Sequence, residues 1–162
     1  MTPGEQEFFN LVMHPVKFRM FLLTKLPSAY FSGVRVISIN EKSCEVVVPY
    51  SWFSTNPFRS TYFACMAMAA EMSTGVLSMG YTYKRQPAIS MLVTGLEAKF
   101  LKKAIERTIF TCDAGMEIAA TIEKAVSTGE GQMITVKSVG KNSSGELIAE
   151  FLLTWSFKSR KK

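Results

Sequence analysis

The feature that most constrains the fold is a run of 24 residues, Ser60–Tyr83, in which Glu71 is the only charged residue. The run is rich in alanine and methionine, which favour helix, and we expect a helix from Ser60 to about Met79 with Ser60 as its N-cap. A helix that is apolar almost all round is buried on all sides. The rest of the chain must therefore supply elements that enclose it.

A membrane-spanning role is not expected for this apolar sequence. The longest stretches without charge, Val46–Phe58 and Met72–Tyr83, have 13 and 12 residues, whereas a spanning helix needs about 18 to 20. Glu5 and Glu7 precede the first apolar residues, the reverse of a secretory signal. The three cysteines are widely spaced and suit free thiols in a reducing compartment. We expect a cytoplasmic protein with no membrane partner.

The hydrophobic period on either side of the apolar helix predicts one domain of the α+β class. Pro3–Leu26 has a helical period, Pro15 should kink or restart it, and Pro27 should end it. Alternating residues predict six strands, of which the first two form a hairpin turned at Asn40–Lys42: Val34–Val36, Cys44–Tyr50, Ile89–Phe100, Glu106–Cys112, Gln132–Val139 and Glu146–Lys158. Gly115–Ser127 reads as a short helix. An antiparallel sheet curling around the apolar helix would bury both.

Most of the excess positive charge of the chain lies at its C-terminus. The net charge is +6, and Lys158, Arg160, Lys161 and Lys162 supply four of these charges, which leaves 6 − 4 = +2 for the rest. A nearly balanced body does not require a nucleic-acid partner, and we expect none. A basic interaction protein acting through this tail is a weaker alternative.

Glu71 is the first candidate for chemistry. A carboxylate in an apolar helix is costly unless it is hydrogen-bonded, paired or protonated. Its neighbours at three and four residues are small or flexible, so a substrate or water could approach it. The alternative is that Glu71 lies on a solvent-exposed strip of the helix. Met68, one turn earlier, could line an adaptable apolar pocket, although core filling is the simpler role for the methionines.

The start of the same helix is the second candidate. Asn56 lies in the loop that leads into the helix, and the first free N–H groups follow at Ser60–Phe63. A helix N-terminus offers unpaired donors and a positive potential to an oxyanion or a phosphate. Asn56-Pro57 could equally be simple turn chemistry.

The segment Asn56–Ala64, continuing to Ala69–Gly75, resembles the loop and central helix of the hotdog-fold thioesterases. It is most similar to an uncharacterised bacterial branch related to the phenylacetyl-CoA thioesterases. In that superfamily an asparagine begins the loop, His-Gly-Gly follows at the helix start, and an acidic residue lies fifteen residues after the asparagine. Asn56 and Glu71 match both ends of this spacing. Tyr62-Phe63-Ala64 stand where the family has His-Gly-Gly.

The resemblance implies a hotdog fold, with residues 34–157 as its core, residues 1–27 as an additional N-terminal helix and 158–162 as a basic tail. It implies hydrolysis of an acyl-CoA or related thioester, with Glu71 as general base or nucleophile. The backbone N–H of Phe63 would stabilise the oxyanion, Asn56 would orient substrate or water, and only the Tyr62 hydroxyl could replace the histidine. Hotdog sites generally lie between subunits, so we expect a homodimer or a tetramer.

Coenzyme A would enter only as part of the substrate, and no separate cofactor or metal is expected, because the single histidine and scattered cysteines lack zinc spacing. Its phosphates could meet basic side chains, or these side chains could simply be solvated: Arg59, Lys84, Arg85, Lys99, Lys102 and Lys103. The bulk of Phe63 at a glycine position motivates a second hypothesis. In it, the domain binds an acyl-CoA, a fatty acid or another apolar ligand without turnover.

Overall fold

The computed structural model describes residues 2–160, which form five α-helices and six strands. The helices are α1 (Pro3–Met13), α2 (Lys17–Lys25), α3 (Pro27–Phe31), α4 (Phe63–Thr82) and α5 (Gly115–Thr128). The strands are β1 (Arg35–Ile39), β2 (Cys44–Val48), β3 (Ile89–Phe100), β4 (Thr108–Cys112), β5 (Gln132–Lys141) and β6 (Leu147–Ser159). A single 3₁₀ turn spans Trp52–Ser54.

All six strands form one antiparallel sheet in the order β1-β2-β4-β5-β6-β3. The long C-terminal strand β6 lies between β5 and β3, and its apolar face is buried as its alternation predicts. That face carries Phe151, Leu153, Trp155 and Phe157. The predicted α+β class and the sheet around a central helix are therefore confirmed, and the architecture is that of a hotdog fold.

Helix α4 lies against the sheet and is covered by helices α1, α3 and α5. Every residue from Met72 to Ser78 is buried. Helix α5 adds a regular apolar stripe of Ile118, Ile122 and Ala125 and ends at Gly129, whose φ of 70° is the left-handed conformation that glycine adopts most easily. The single charged residue of α4 is thus carried by a helix with little contact to solvent.

The N-terminal region differs from the expected single helix. The chain breaks at Pro15, as predicted, but the segment after Leu26 forms a further short helix, α3, because Pro27 fits the first turn of a new helix. The predicted tail also starts later, since Lys158 and Ser159 still belong to β6. Lys161 and Lys162 lie outside the described residues.

The predicted N-cap of α4 is wrong. The helix begins at Phe63 with Tyr62 as its N-cap, and no side chain caps it. Ser60 instead donates its backbone N–H and its hydroxyl to the side chain of Asn56, at 3.3 and 3.2 Å. Because the loop holds Ser60, the helix starts three residues later and its first amides remain open.

The described residues contain neither a membrane-spanning helix nor a metal-binding cluster of side chains. Within residues 2–160, no helix combines the length and apolar character needed to cross a bilayer. In the same part of the chain, no three acidic, cysteine or histidine side chains converge closely enough to hold a metal ion. The three cysteines, Cys44, Cys65 and Cys112, are buried free thiols.

Candidate active site

A pocket of about 820 Å³ opens at the N-terminus of α4, and we call it the mouth pocket. One wall is the loop Thr55–Thr61 with the first residues of α4, and the other is Phe100 at the end of β3 with the segment Leu101–Ala104. The two walls are joined directly, because the backbone N–H of Thr61 donates to the carbonyl of Ala104 at 2.7 Å. The mouth pocket therefore depends on a contact between segments about forty residues apart in the chain.

Asn56 organises the loop wall of the mouth pocket. Its side-chain oxygen accepts from the backbone N–H of Phe58 at 3.0 Å and from Ser60, and its amide group donates to the carbonyl of Thr61 at 3.5 Å. This is the pattern in which an asparagine side chain holds a turn. The loop also forces Arg59 into the left-handed region, at φ 56°, where its side chain is exposed outside the pocket lining.

The N-terminus of α4 presents open donors to the mouth pocket. The backbone N–H groups of Phe63 and Ala64 have no hydrogen-bond partner among residues 2–160. The hydroxyl of Thr61, in a residue only 2% exposed, is also without a partner within the described chain. The helix dipole adds a positive potential at this point. The arrangement suits a developing oxyanion.

Aromatic rings line the same pocket as these backbone N–H groups. Tyr62 and Phe63 are about half exposed, with their ring centroids 5.1 Å apart, and Phe63 lies 6.4 Å from the ring of Phe100 on the opposite wall. The mouth pocket therefore combines exposed aromatic rings with the open backbone donors.

Glu71 lies in a different pocket. A cavity of about 240 Å³, which we call the Glu71 pocket, is lined by Glu71, Met68 and Met72 of α4 and by the segment Lys25–Ala29. The carboxylate forms no ion pair or hydrogen bond within residues 2–160, and burial raises its pKa. Glu71 is partly buried, between the buried carboxylate and the solvent-exposed strip that the sequence left open. It retains basic character that an exposed glutamate lacks.

The Glu71 carboxylate points away from the helix start. One of its oxygens lies 2.9 Å from the position that a Cβ on Gly75 would occupy, and the ring of Trp155 lies 3.2 Å from the same position. The indole N–H of Trp155 donates to the hydroxyl of Thr74 at 2.9 Å, which fixes the ring beside the carboxylate. Gly75 thus leaves the space that the carboxylate and the indole share.

The predicted site residues therefore fall into four places. Asn56, Tyr62, Phe63, Lys102 and Lys103 come together at the mouth pocket, with Arg59 beside it. Glu71 and Met68 share the Glu71 pocket. Lys99 lies exposed on β3.

The remaining two predicted cations, Lys84 and Arg85, follow the far end of α4 and are neutralised by acidic partners. Lys84 is 2.7 Å from a carboxylate oxygen of Glu7, and Arg85 forms two bonds, of 2.7 and 2.8 Å, to Glu123. The Arg85 guanidinium lowers the pKa of Glu123. Of the two lysines at the mouth pocket, Lys102 pairs with Glu146, whereas Lys103 has no ion pair within residues 2–160.

The sequence reasoning missed the walls that face α4. In the sequence, Pro27 predicts only the end of a helix, and no pattern assigns a role to Leu101 or Ala104. The proline at position 27 and the run of lysines at 102 and 103 were the available signals, but neither indicates a pocket wall without the tertiary contact.

The chain matches a family model described as a domain of unknown function (DUF4442) over residues 16–157. No functionally curated protein sequence matches it. Among solved structures it is similar to PA5026 of Pseudomonas aeruginosa, a protein of unknown function described as a probable thioesterase. The identity is 15%, 99% of each chain is covered and the TM-score is 0.74.

Two further structures show the same fold. The protein OLEI01261 of Chlorobaculum tepidum, of unknown function, is 16% identical over 89% of this chain and 93% of its own, with a TM-score of 0.74. The thioesterase HI1161 of Haemophilus influenzae is 13% identical over 86% and 88%, with a TM-score of 0.61. The coverages and TM-scores show that these neighbours have the same fold as this chain. The chain therefore belongs to the DUF4442 family, and its fold is the hotdog fold.

Proposed function

We propose that the protein hydrolyses a thioester such as an acyl-CoA, with Glu71 as the base and the N–H of Phe63 as an oxyanion donor. The observation that carries the proposal is the unpaired, desolvated carboxylate of Glu71 on the helix whose N-terminus holds two open amides. A desolvated carboxylate is a better base for activating water. Open amides at a helix start stabilise the charge that develops on the thioester oxygen.

One chain cannot bring these two groups to the same carbonyl. Phe63 and Glu71 are eight residues apart on α4, which is about 12 Å along the helix axis. The carboxylate points further away, toward Gly75. An oxyanion donor must lie about 3 Å from the oxygen, and an attacking atom about 3 to 3.5 Å from the carbon. We therefore infer that a complete site takes the donor from one subunit and the carboxylate from another.

The exposed edge of the sheet suits such a dimer. Strand β3 has 12 residues and pairs only with β6, so its other edge is free within the described chain. Leu92, Leu96 and Phe100 are about half to two-thirds exposed along it. A long apolar edge strand favours pairing with another strand. Because Phe100 also lines the mouth pocket, a subunit paired along β3 would lie beside that pocket.

The test of the proposed activity is turnover of a panel of acyl-CoA thioesters by the wild type and by Glu71→Ala. We expect the turnover rate of the variant to be at least tenfold lower than that of the wild type, and lower still if Glu71 is the nucleophile. Glu130→Ala, which removes an exposed carboxylate in the loop after α5, is the matched control and should keep wild-type turnover. Equal rates for wild type and Glu71→Ala would overturn the assignment.

A second candidate function is binding of an apolar acyl ligand without hydrolysis. It is favoured by the rings of Tyr62, Phe63 and Phe100, which narrow the approach to the open amides. A thermal-shift screen with acyl-CoAs and free fatty acids separates the two functions. A raised unfolding temperature without release of free thiol would support binding alone, whereas no response to any compound would count against both.

A further inference from the structure

A cluster of exposed aromatic rings lies beside the mouth pocket and outside the proposed catalytic groups. Phe31 of α3 is 6.1 Å from Phe53, which is 4.9 Å from Trp52, measured between ring centroids. Trp52 is 83% exposed, and Phe53 and Phe31 are more than half exposed. Rings of this size are rarely left in water in a contiguous group unless they contact something.

A positively charged side chain, that of Arg19, lies next to the aromatic cluster. The guanidinium of Arg19 lies 4.9 Å from the ring of Tyr30, and that ring is 5.4 Å from Phe31. We call the surface formed by Arg19, Tyr30, Phe31, Trp52 and Phe53 the aromatic–basic patch. It is contributed by α2, α3 and the 3₁₀ turn, so three separate segments converge to form it.

The two stretches of sequence that contain these segments carry positively charged residues and no acidic ones. Residues 8–40 and 46–70 contain no aspartate or glutamate. They contain five cations: Lys17, Arg19, Lys25, Arg35 and Arg59. None of the five forms an ion pair within residues 2–160, where the paired cations are Lys84, Arg85, Lys102 and Lys137. The patch therefore lies among cations that no salt bridge neutralises, and the acidic residue placed near them is Glu71, which lines a pocket together with Lys25.

We propose that the aromatic–basic patch docks the protein onto an anionic lipid surface. Tryptophan and phenylalanine partition into the interface between headgroups and acyl chains, and nearby lysine and arginine are attracted to anionic headgroups. A second copy of this chain does not fit, because a symmetric contact through the patch would bring Arg19 against like charges with no acid to pair them. The earlier expectation of no membrane partner rested on spanning length, which surface docking does not need.

Docking through the patch would also bring the mouth pocket close to the lipid surface. The 3₁₀ turn that carries Trp52 and Phe53 is followed directly by Thr55 and Asn56 of the mouth pocket. Phe58, on the rim of that pocket, is 76% exposed. A protein bound through the patch would hold the mouth pocket near the lipid headgroups, where apolar acyl compounds collect.

The experiment is co-sedimentation with vesicles of phosphatidylcholine alone and of phosphatidylcholine containing about a third phosphatidylglycerol, at low and high salt. We expect partitioning into the anionic vesicles only, weakened by salt. Intrinsic fluorescence adds a second readout, because Trp52 is exposed while Trp155 is only 4% exposed. Docking should shift the emission of Trp52 to shorter wavelength.

Paired variants locate the binding surface. Trp52→Ser with Phe53→Ser, and Arg19→Glu alone, should each weaken partitioning about tenfold or more. Met116→Ser with Met133→Ser removes two other apolar side chains that are more than half exposed, and Lys124→Glu reverses an exposed charge on α5, so both controls should bind as the wild type does. No sedimentation, equal binding to neutral vesicles, or patch variants that match the controls would each overturn the proposal. Binding to polyglutamate with none to vesicles would assign the patch to an acidic protein instead.

Discussion

The mouth pocket and the Glu71 pocket lie along the same helix and differ in what each contains. The mouth pocket, at about 820 Å³, has open backbone donors and two lysines, but no carboxylate among its described lining residues. The Glu71 pocket, at about 240 Å³, has a desolvated carboxylate and Lys25, and the open amides of α4 are not part of it. One pocket can stabilise an oxyanion and the other can supply a base. The proposed hydrolysis would need both.

The two pockets also differ in how they are built. The Glu71 pocket is lined by the buried residues Ala29 and Met72 and by the exposed segment Lys25–Ser28. The mouth pocket is built from a loop and the end of an edge strand, and its rings are half exposed. Under the proposed mechanism, the middle of α4 would carry the base, and a second subunit would bring its own carboxylate to the donors at the N-terminus of α4.

The largest expected effect comes from removing one backbone donor of the mouth pocket. Phe63→Pro eliminates the N–H at the first position of α4, where proline is well tolerated. Tyr62, at φ −64° and ψ 132°, already has the extended conformation that a residue before proline adopts. Relative to Phe63→Ala, which keeps the N–H, the proline variant should lose about a hundredfold in kcat/KM. Equal rates for the two variants would show that this amide does not stabilise the transition state.

The next effect tests whether the two pockets cooperate between subunits. Glu71→Gln and Phe63→Pro are each expected to be nearly inactive as homodimers. A heterodimer of the two, purified through a different tag on each chain, would contain one intact donor–base pair if the pair spans the interface. Its rate should recover to about half that of the wild type per dimer. A heterodimer as inactive as its parents would place the donor and the base in one chain, or remove the dimer from the mechanism.

Much of the framework on which the two pockets rest could be predicted from periodicity. The bounds of β3 and the start of α5 agree with the alternation and the helical period, because both patterns are local. The buried face of β6 agrees for the same reason. The sequence also predicts that Glu71 is the only charged residue of its helix, because this depends only on the composition of that helix.

The division into two pockets could not be predicted, because it depends on contacts between distant segments. The true start of α4 is set by Asn56, which captures Ser60, and by the bond from Thr61 to Ala104. The Glu71 pocket exists because α3 begins at Pro27 and packs against the middle of α4. The direction of the carboxylate follows from the missing side chain at Gly75. None of these contacts leaves a periodic signal in the sequence.

A smaller effect would show which pocket receives the nucleotide part of coenzyme A. Lys103 lines the mouth pocket without an ion-pair partner, so Lys103→Ala should raise KM for an acyl-CoA about fivefold and leave kcat unchanged. The same acyl group on pantetheine lacks the nucleotide phosphates, and its KM should not change. Lys84→Ala, at the far end of α4, is the matched control. An equal rise in KM for the pantetheine thioester would mean that Lys103 acts on packing rather than on phosphate.

The smallest effect concerns the stability of the Glu71 pocket. Burial raises the pKa of Glu71 in the folded protein above its ordinary value of 4.5. Between those two values the folded state binds more protons than the unfolded state, so folding stability falls as pH rises through this window. Glu71→Gln has no such proton to lose, and its unfolding temperature should match the wild type at acidic pH and exceed it at pH 8. Glu130→Gln controls for loss of an exposed carboxylate. A wild type that is more stable than Glu71→Gln at pH 8 would mean that the carboxylate is stabilised by a partner, and that the base and donor pockets are less different than the structure indicates.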